Sequence, residues 1–117
     1  MKIIIAGSRT IHWWYGHDLY ELLYRHFPDF TEVVSGLAQG PDTHGKTMAL
    51  ERDIPVKEFP ADWNTFGKKA GALRNIQMAE YADGLLALWD GKSRGTKHMI
   101  ESMLERNKPI HVELCLE

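Results

Sequence analysis

An alternation of two apolar patterns restricts this chain more than any other feature. Five short apolar runs of strand length are separated by stretches whose apolar residues recur three and four apart. The first run, Lys2 to Ala6, carries the β-branched residues Ile3, Ile4 and Ile5 and reads as a central strand. Thr31 to Ser35, with Val33 and Val34, is the second. Pro55 to Phe59 is the third, and its proline stands where a strand can begin. Leu85 to Trp89 is apolar throughout, as a strand covered on both faces must be. Ile110 to Leu114 is the last.

The intervening stretches have the helical period. Leu19, Leu22, Leu23 and Phe27 form a stripe that stops before Pro28. A second helix is expected from Pro41 to about Asp53, with Gly45, Met48, Ala49 and Arg52 on one side and Asp42 at its positive end. Pro60 to Gly71 reads as the longest loop. A helix then covers roughly Ala72 to Ala82, with Leu73 and Ile76 assigned to the core. The last helix carries Met99, Ile100, Met103 and Leu104 and is closed by Pro109.

Strands and helices that alternate in this way imply a parallel sheet with helices on both faces. Right-handed crossovers then restrict the topology to a three-layer, doubly wound α/β fold of the Rossmann-like kind, with a five-stranded, mostly parallel sheet; of the orders such folds take, 3-2-1-4-5 is the expectation adopted. At 117 residues and 44% hydrophobic content, the chain is expected to form a single domain over residues 1–117 with a true core.

The net charge of −2 supplies no general attraction to nucleic acid or to an anionic membrane, so neither is an expected partner; Lys68 and Lys69 with Arg74 are one candidate for a local basic cluster. Cys115 is a single cysteine. It can form no internal disulfide, which fits a reducing compartment, and its place in the final apolar run makes it a small core residue. The N-terminal apolar run is too short for a signal peptide and no run approaches membrane-spanning length, so a cytoplasmic protein is expected. His12, His17, His26, His44, His98 and His111 show no helical two-histidine spacing with an acid between them. On that ground neither a metal site nor a cofactor is expected.

In doubly wound folds, ligands bind beyond the C-terminal strand ends, where the winding reverses. The unusual residues of this chain fall there. Gly7-Ser8-Arg9 follows the first strand and offers a hydroxyl and a guanidinium; Arg9 either clamps a phosphate or carboxylate, or pairs on the surface with Asp18 or Glu21. Ser35-Gly36, with Gly40 and Asp42, follows the second. Asp42 either accepts from a ribose or stabilises the helix start. After the fourth strand, Asp90 to Thr96 forms a loop in which Gly91 and Gly95 let an anion approach the start of a helix. Arg74, placed in a first helical turn against the dipole, calls for a carboxylate or an anionic ligand. Trp13, Trp14 and Tyr15 lie near this mouth and either stack on a base, or form a subunit interface or a lid packed on their own domain. Neither Gly-x-Gly-x-x-Gly nor Gly-Lys-Ser/Thr directly follows the first strand, so neither common nucleotide motif stands at Gly7-Ser8-Arg9.

Taken together, Lys2 to Arg9, Val34-Ser35-Gly36 with Gly40 and Asp42, Phe59-Pro60-Ala61-Asp62-Trp63, Gly67-Lys68, Gly71 with Arg74-Asn75 and Met78, and Gly91 with Arg94-Gly95-Thr96 resemble the SLOG superfamily. The chain is most similar to the small YspA-like, YpsA-related branch, and the likeness runs over nearly its whole length. The resemblance implies a Rossmann-like fold that binds a nucleotide or nucleotide-derived small molecule. It implies a bacterial or phage setting and, with the exposed aromatics, a homo-oligomer. The ligand-binding set it marks is Gly7, Ser8, Arg9, Ser35, Gly36, Gly40, Asp42, Arg74, Asn75, Met78, Gly91, Arg94, Gly95 and Thr96.

A more distant similarity is to the Lonely Guy phosphoribohydrolases, which remove the base from a nucleoside 5′-monophosphate. Their Pro-Gly-Gly-x-Gly-Thr-x-Glu-Glu and Arg-Lys-x-x-Met motifs are matched at Arg74, Met78, Gly91, Gly95 and Thr96. Asn75 replaces the lysine, and His98 and Met99 stand in place of the two glutamates. Breaking an N-glycosidic bond builds positive charge on the sugar, which a carboxylate must stabilise or an activated water must quench. Asp42, Asp62, Asp90 and Glu101 are the weak candidates left for that role. The expected function is therefore a binding module that senses or sequesters a nucleotide-like signal. The alternative is a nucleotide N-glycosidase with altered catalytic residues. A DNA-binding role, by analogy with the DNA-processing protein A relatives, is disfavoured by the near-neutral charge.

Overall fold

The computed structural model describes residues 1–12, 14 and 16–116. The elements in order are β1 (Lys2–Gly7), α1 (Gly16–His26), β2 (Glu32–Ser35), α2 (Pro41–Glu51), β3 (Val56–Glu58), α3 (Trp63–Phe66), a 3₁₀ turn (Gly67–Lys69), α4 (Ala70–Tyr81), β4 (Gly84–Trp89), α5 (Arg94–Glu105) and β5 (Ile110–Leu114). The five strands form one sheet in the order β3-β2-β1-β4-β5, and every pairing is parallel. β1 pairs with both β2 and β4, so the winding reverses at its C-terminal end. The fold is thus Rossmann-like, with the strand order that the sequence implied.

The strand period of two sorts the core into two layers. Ile3, Ile5, Leu86 and Leu88 point to one face, where Leu19, Leu22 and Leu23 of α1 and Met48 and Ala49 of α2 cover them. Ile4, Ala6, Val34, Leu85 and Ala87 point to the other, under Met78 and Ala79 of α4 and Met99 and Met103 of α5. Ile3, Ile4 and Ile5 are all fully buried, each contributing roughly 1.5–3 kcal/mol by leaving water. α2 lies directly on β1: a Cβ added at Gly45 would sit 2.8 Å from Cγ2 of Ile5.

Three sequence expectations need correction. Residues 60–71 are not a single loop. Asp62 caps α3 by accepting from the Thr65 amide at 3.1 Å, the 3₁₀ turn follows, and α4 already begins at Ala70. That shift moves Arg74 out of the first turn, so it does not sit against the helix dipole as the sequence suggested. Nor do Leu73 and Ile76 form the inner face of α4: Leu73 is exposed and Ile76 is only half-buried, while Ala70, Asn75, Met78 and Ala79 are buried. Finally, Pro109 does not end α5. The helix stops at Glu105, the chain reverses at Asn107 with a positive φ of 54°, and the Lys108 ammonium donates to the carbonyls of Ala79, Glu80 and Ala82 at the end of α4.

Candidate functional site

Where the winding reverses, the C-terminal ends of β1, β2 and β4 and the starts of α2, α4 and α5 surround an open hollow of about 440 Å³. Gly7, Arg9, Asp42, Arg74, Asn75, Gly95 and Thr96 line it, joined by Ala6, Ala38, Ser93 and Met99. A second hollow of about 730 Å³ adjoins it and shares Arg9, Ala38 and Arg74. Its other walls are Gly36, Leu37, Gln39, Pro60, Ala61 and Trp63.

The floor is built around Asp42, which is 4% exposed. Burial raises its pKa from an ordinary 3.8 to about 6, against the nearby Arg74 charge and the backbone amides of Gly7, Gly36 and Asp42 itself, which favour the carboxylate. Asp42 thus ties the exits of β1 and β2 to the start of α2. Ser35 closes the same corner, its hydroxyl donating to the Asp42 carbonyl at 2.9 Å and accepting from the Leu37 amide at 3.2 Å. Gly7 is required by packing: a Cβ there would collide with the Leu88 carbonyl oxygen.

Arg74 crosses from α4 to the β2 exit. Its Nη1 donates to the Gly36 carbonyl, and its Nε donates to Oδ1 of Asn75 at 3.0 Å. Asn75 in turn donates to the Gly95 carbonyl at 3.2 Å and lies 3.2 Å from Nδ1 of His98. The arginine is therefore held by backbone and amide oxygens. Among the described residues, neither Arg74 nor Arg9 has an acidic ion-pair partner. Glu21, proposed from sequence as a mate for Arg9, pairs with His17. Burial lowers the Arg74 pKa, Asp42 opposes that shift, and the Arg9 charge adds to it. Two guanidiniums thus stand over one hollow.

The start of α5 is partly satisfied by its own loop. Oδ1 of Asp90 accepts from the amides of Lys92 and Ser93, both at 2.8 Å, and these bonds hold its carboxyl below the usual carboxylate range. Ser93 caps the helix by accepting from the Thr96 amide at 3.4 Å. The Arg94 and Gly95 amides, at the first two positions of the helix, have no partner among the described residues. A Cβ at Gly95 would meet nothing within 4 Å, so this backbone is open to a close approach.

Several residues marked by the sequence line neither hollow. The Ser8 hydroxyl is buried and accepts from the Asp90 amide at 3.1 Å, joining β1 to the β4 loop. Gly40, with φ of 82°, packs against the backbone oxygens of Ser8, Arg9 and Ile11. Met78 belongs to the core. Ser35 acts through the corner already described, Gly91 adjoins Leu114, and Arg94 is exposed. Of the four carboxylates considered for catalysis, only Asp42 reaches the hollow; Asp62 and Asp90 serve as caps, and Glu101 is exposed on α5. Trp14 packs against the core on the α1 side, while Trp13 and Tyr15 lie outside the described residues. Trp63, half exposed, is the aromatic at the rim. Its quoted motif was visible in the sequence, but its part in the wall was not.

Among the described residues, no helix is long and apolar enough to cross a membrane. No family model matches the chain. The Gene 61 protein of Mycobacterium phage D29 is 45% identical over an alignment of 120 positions that takes in 93% of each chain. Identity at this level over nearly the full length places this chain in the same family as that phage protein.

Proposed function

We propose that the protein binds a nucleotide or nucleotide-derived small molecule at the C-terminal rim of its sheet, as a sensor or sequestering protein of the SLOG kind. The observation that carries this reading is the pair Arg9 and Arg74, which face one hollow with no carboxylate in ion-pair contact among the described residues, Asp42 acting on Arg74 only from a longer range. A half-buried cation in that position favours an anion of matching shape, and a guanidinium suits phosphate oxygens best. The phosphate would lie against the Arg94 and Gly95 amides, where the helix end adds a favourable partial charge. The sugar and base would extend into the adjoining hollow, with the base against Trp63. Asp42 and Asn75 orient the surrounding backbone and the arginine. A cytoplasmic location and a homo-oligomeric state belong to the same proposal.

One observation favours a second reading. Asp42 sits in the hollow with a pKa of about 6, which suits a group that gives or takes a proton near neutrality. A nucleotide N-glycosidase would use it to assist departure of the base or to activate water.

The two readings are separated by incubating the protein with nucleoside 5′-monophosphates, NAD and cyclic nucleotides, measuring affinity by calorimetry and free base by chromatography. Binding without released base supports the module, and turnover that Asp42→Asn abolishes supports the enzyme. Arg74→Ala and Thr96→Asp should each weaken binding by roughly tenfold or more under either reading, the loss expected for a charged hydrogen bond. If both variants keep full affinity, the ligand does not lie here.

A further inference from the structure

We propose that His26, His111 and Glu113 form a binding site for a divalent transition metal ion of the zinc class, where the end of α1 packs on the edge strand β5. His26 is the last residue of α1, and His111 and Glu113 lie on β5. The two β5 residues are two apart, so they share a face of the strand. Their partners in β4 are Leu86 and Leu88, which face α1. That register brings the strand pair under the end of α1.

The three side chains offer ligand atoms that all lie within 4.8 Å of one another. Nε2 of His111 is 2.9 Å from Oε2 of Glu113. The imidazoles of His26 and His111 are stacked, with centroids 3.4 Å apart and an interplanar angle of 12°. Around tetrahedral zinc, with bonds of about 2.0–2.2 Å, neighbouring ligand atoms are roughly 3.3–3.5 Å apart. The His111–Glu113 separation of 2.9 Å must open slightly to admit an ion, and the stacked rings must tilt apart for their lone pairs to converge.

Packing alone does not account for the arrangement. Aromatic rings avoid a face-to-face sandwich unless something else holds them there. Among the described residues, the His26 ring has no hydrogen-bond partner. All three side chains are partly exposed, so an ion can enter from solvent. Two imidazoles and one carboxylate suit zinc, cobalt(II) or nickel(II), and leave a fourth position to water.

The test uses the full chain with any affinity tag removed, since tag histidines would bind metal. Zinc is titrated by calorimetry, and cobalt(II) by its visible absorption. One equivalent should bind, with a cobalt band in the range of four- or five-coordinate nitrogen and oxygen ligands. His26→Gln, His111→Ala and Glu113→Gln should each reduce affinity by more than about tenfold, because losing even an outer-shell partner of a metal ligand costs about 10–100-fold. His12→Ala and His44→Ala are the controls, since those two rings form the other histidine pair. Circular dichroism checks folding, and Glu113→Gln and His26→Gln, the mildest changes, carry the result if His111→Ala does not fold. No saturable binding at 100 µM metal, on the order of the weakest affinity a built site would show, overturns the proposal. So does binding that the control substitutions remove and the Glu113 and His26 substitutions leave intact.

Discussion

The guanidinium of Arg74 lies over Gly36, 38 residues earlier in the chain, and donates to its carbonyl oxygen. A Cβ at position 36 would fall 2.7 Å from Nη1 and 3.0 Å from Cδ of the same arginine. The missing side chain at Gly36 is therefore what lets Arg74 reach across from α4 to the end of β2.

Gly36→Ala should displace the guanidinium and little else. The obstructing atoms belong to the end of a flexible side chain, so stability should change by less than about 1 kcal/mol. Nucleotide affinity should nevertheless fall roughly tenfold, since a charged hydrogen bond of this kind is worth about 1.5–3 kcal/mol when lost. Chemical denaturation and calorimetry on the same variant check both halves. An unchanged affinity would mean that Arg74 does not touch the ligand.

Asp42 gives the protein a pH dependence of stability with a definite sign. Its pKa is raised in the folded state, from an ordinary 3.8 to about 6, so the folded state binds the proton more tightly than the unfolded chain. The resulting contribution is fully present below about pH 3.8 and is lost as pH rises through about 6. It amounts to on the order of 3 kcal/mol. Other carboxylates titrate in the same range, so the readout is the difference between the wild type and Asp42→Asn. That difference should move against the wild type between pH 4 and pH 7. A flat difference would contradict the buried, proton-retaining carboxyl.

At Gly45, two opposing effects can be weighed. Alanine in a helix interior is favoured over glycine by about 1 kcal/mol. Here the new Cβ would lie 2.8 Å from Cγ2 and 2.9 Å from Cβ of Ile5, a fully buried residue of the central strand with no room to retreat. Overpacking of this kind costs about 1–3 kcal/mol. Gly45→Ala should therefore lower stability by about 1 kcal/mol, read from the urea midpoint, and Gly45→Val should cost more. A stabilised Gly45→Ala would show that α2 is able to lift from β1.

Lys108 closes α4. Its ammonium donates to the carbonyls of Ala79 at 2.7 Å, Glu80 at 3.1 Å and Ala82 at 2.7 Å. Lys108→Met keeps most of the aliphatic stem and removes all three bonds. A loss of about 1–2 kcal/mol is expected, less than three buried charged bonds would imply because the group is partly exposed. Hydrogen exchange should rise at the C-terminal turn of α4 before it rises in β1. Equal protection in the variant would show that water replaces the ammonium without cost.

Much of this architecture was legible in the sequence because its signals are local. Three β-branched residues at 3–5, a fully apolar run at 85–89 and helical stripes between the strands leave one economical arrangement, and the sheet adopts it. Errors arose where a local signal was weak or misleading. Asp62 capped a helix too short to show a period, and that moved the start of α4. Leu73 resembled a core residue, yet the inner face of α4 is made of Ala70, Asn75, Met78 and Ala79. Met78 and Ala79 face the core, while Asn75 of the same helix lines the hollow at the rim of the sheet.

The type of each element and its buried face followed from residue periodicity, because burying an apolar stripe is a local demand that the sequence must state; the strand order rested on the crossover rule for doubly wound folds and the structure decided it. Which polar groups meet could not follow from periodicity. Arg74 with Gly36, Ser8 with the Asp90 amide and His26 with His111 join residues 38, 82 and 85 positions apart. Such pairings exist only once the sheet has fixed the distances between its ends, since a side chain's partner is set by geometry in space and leaves no periodic trace along the chain.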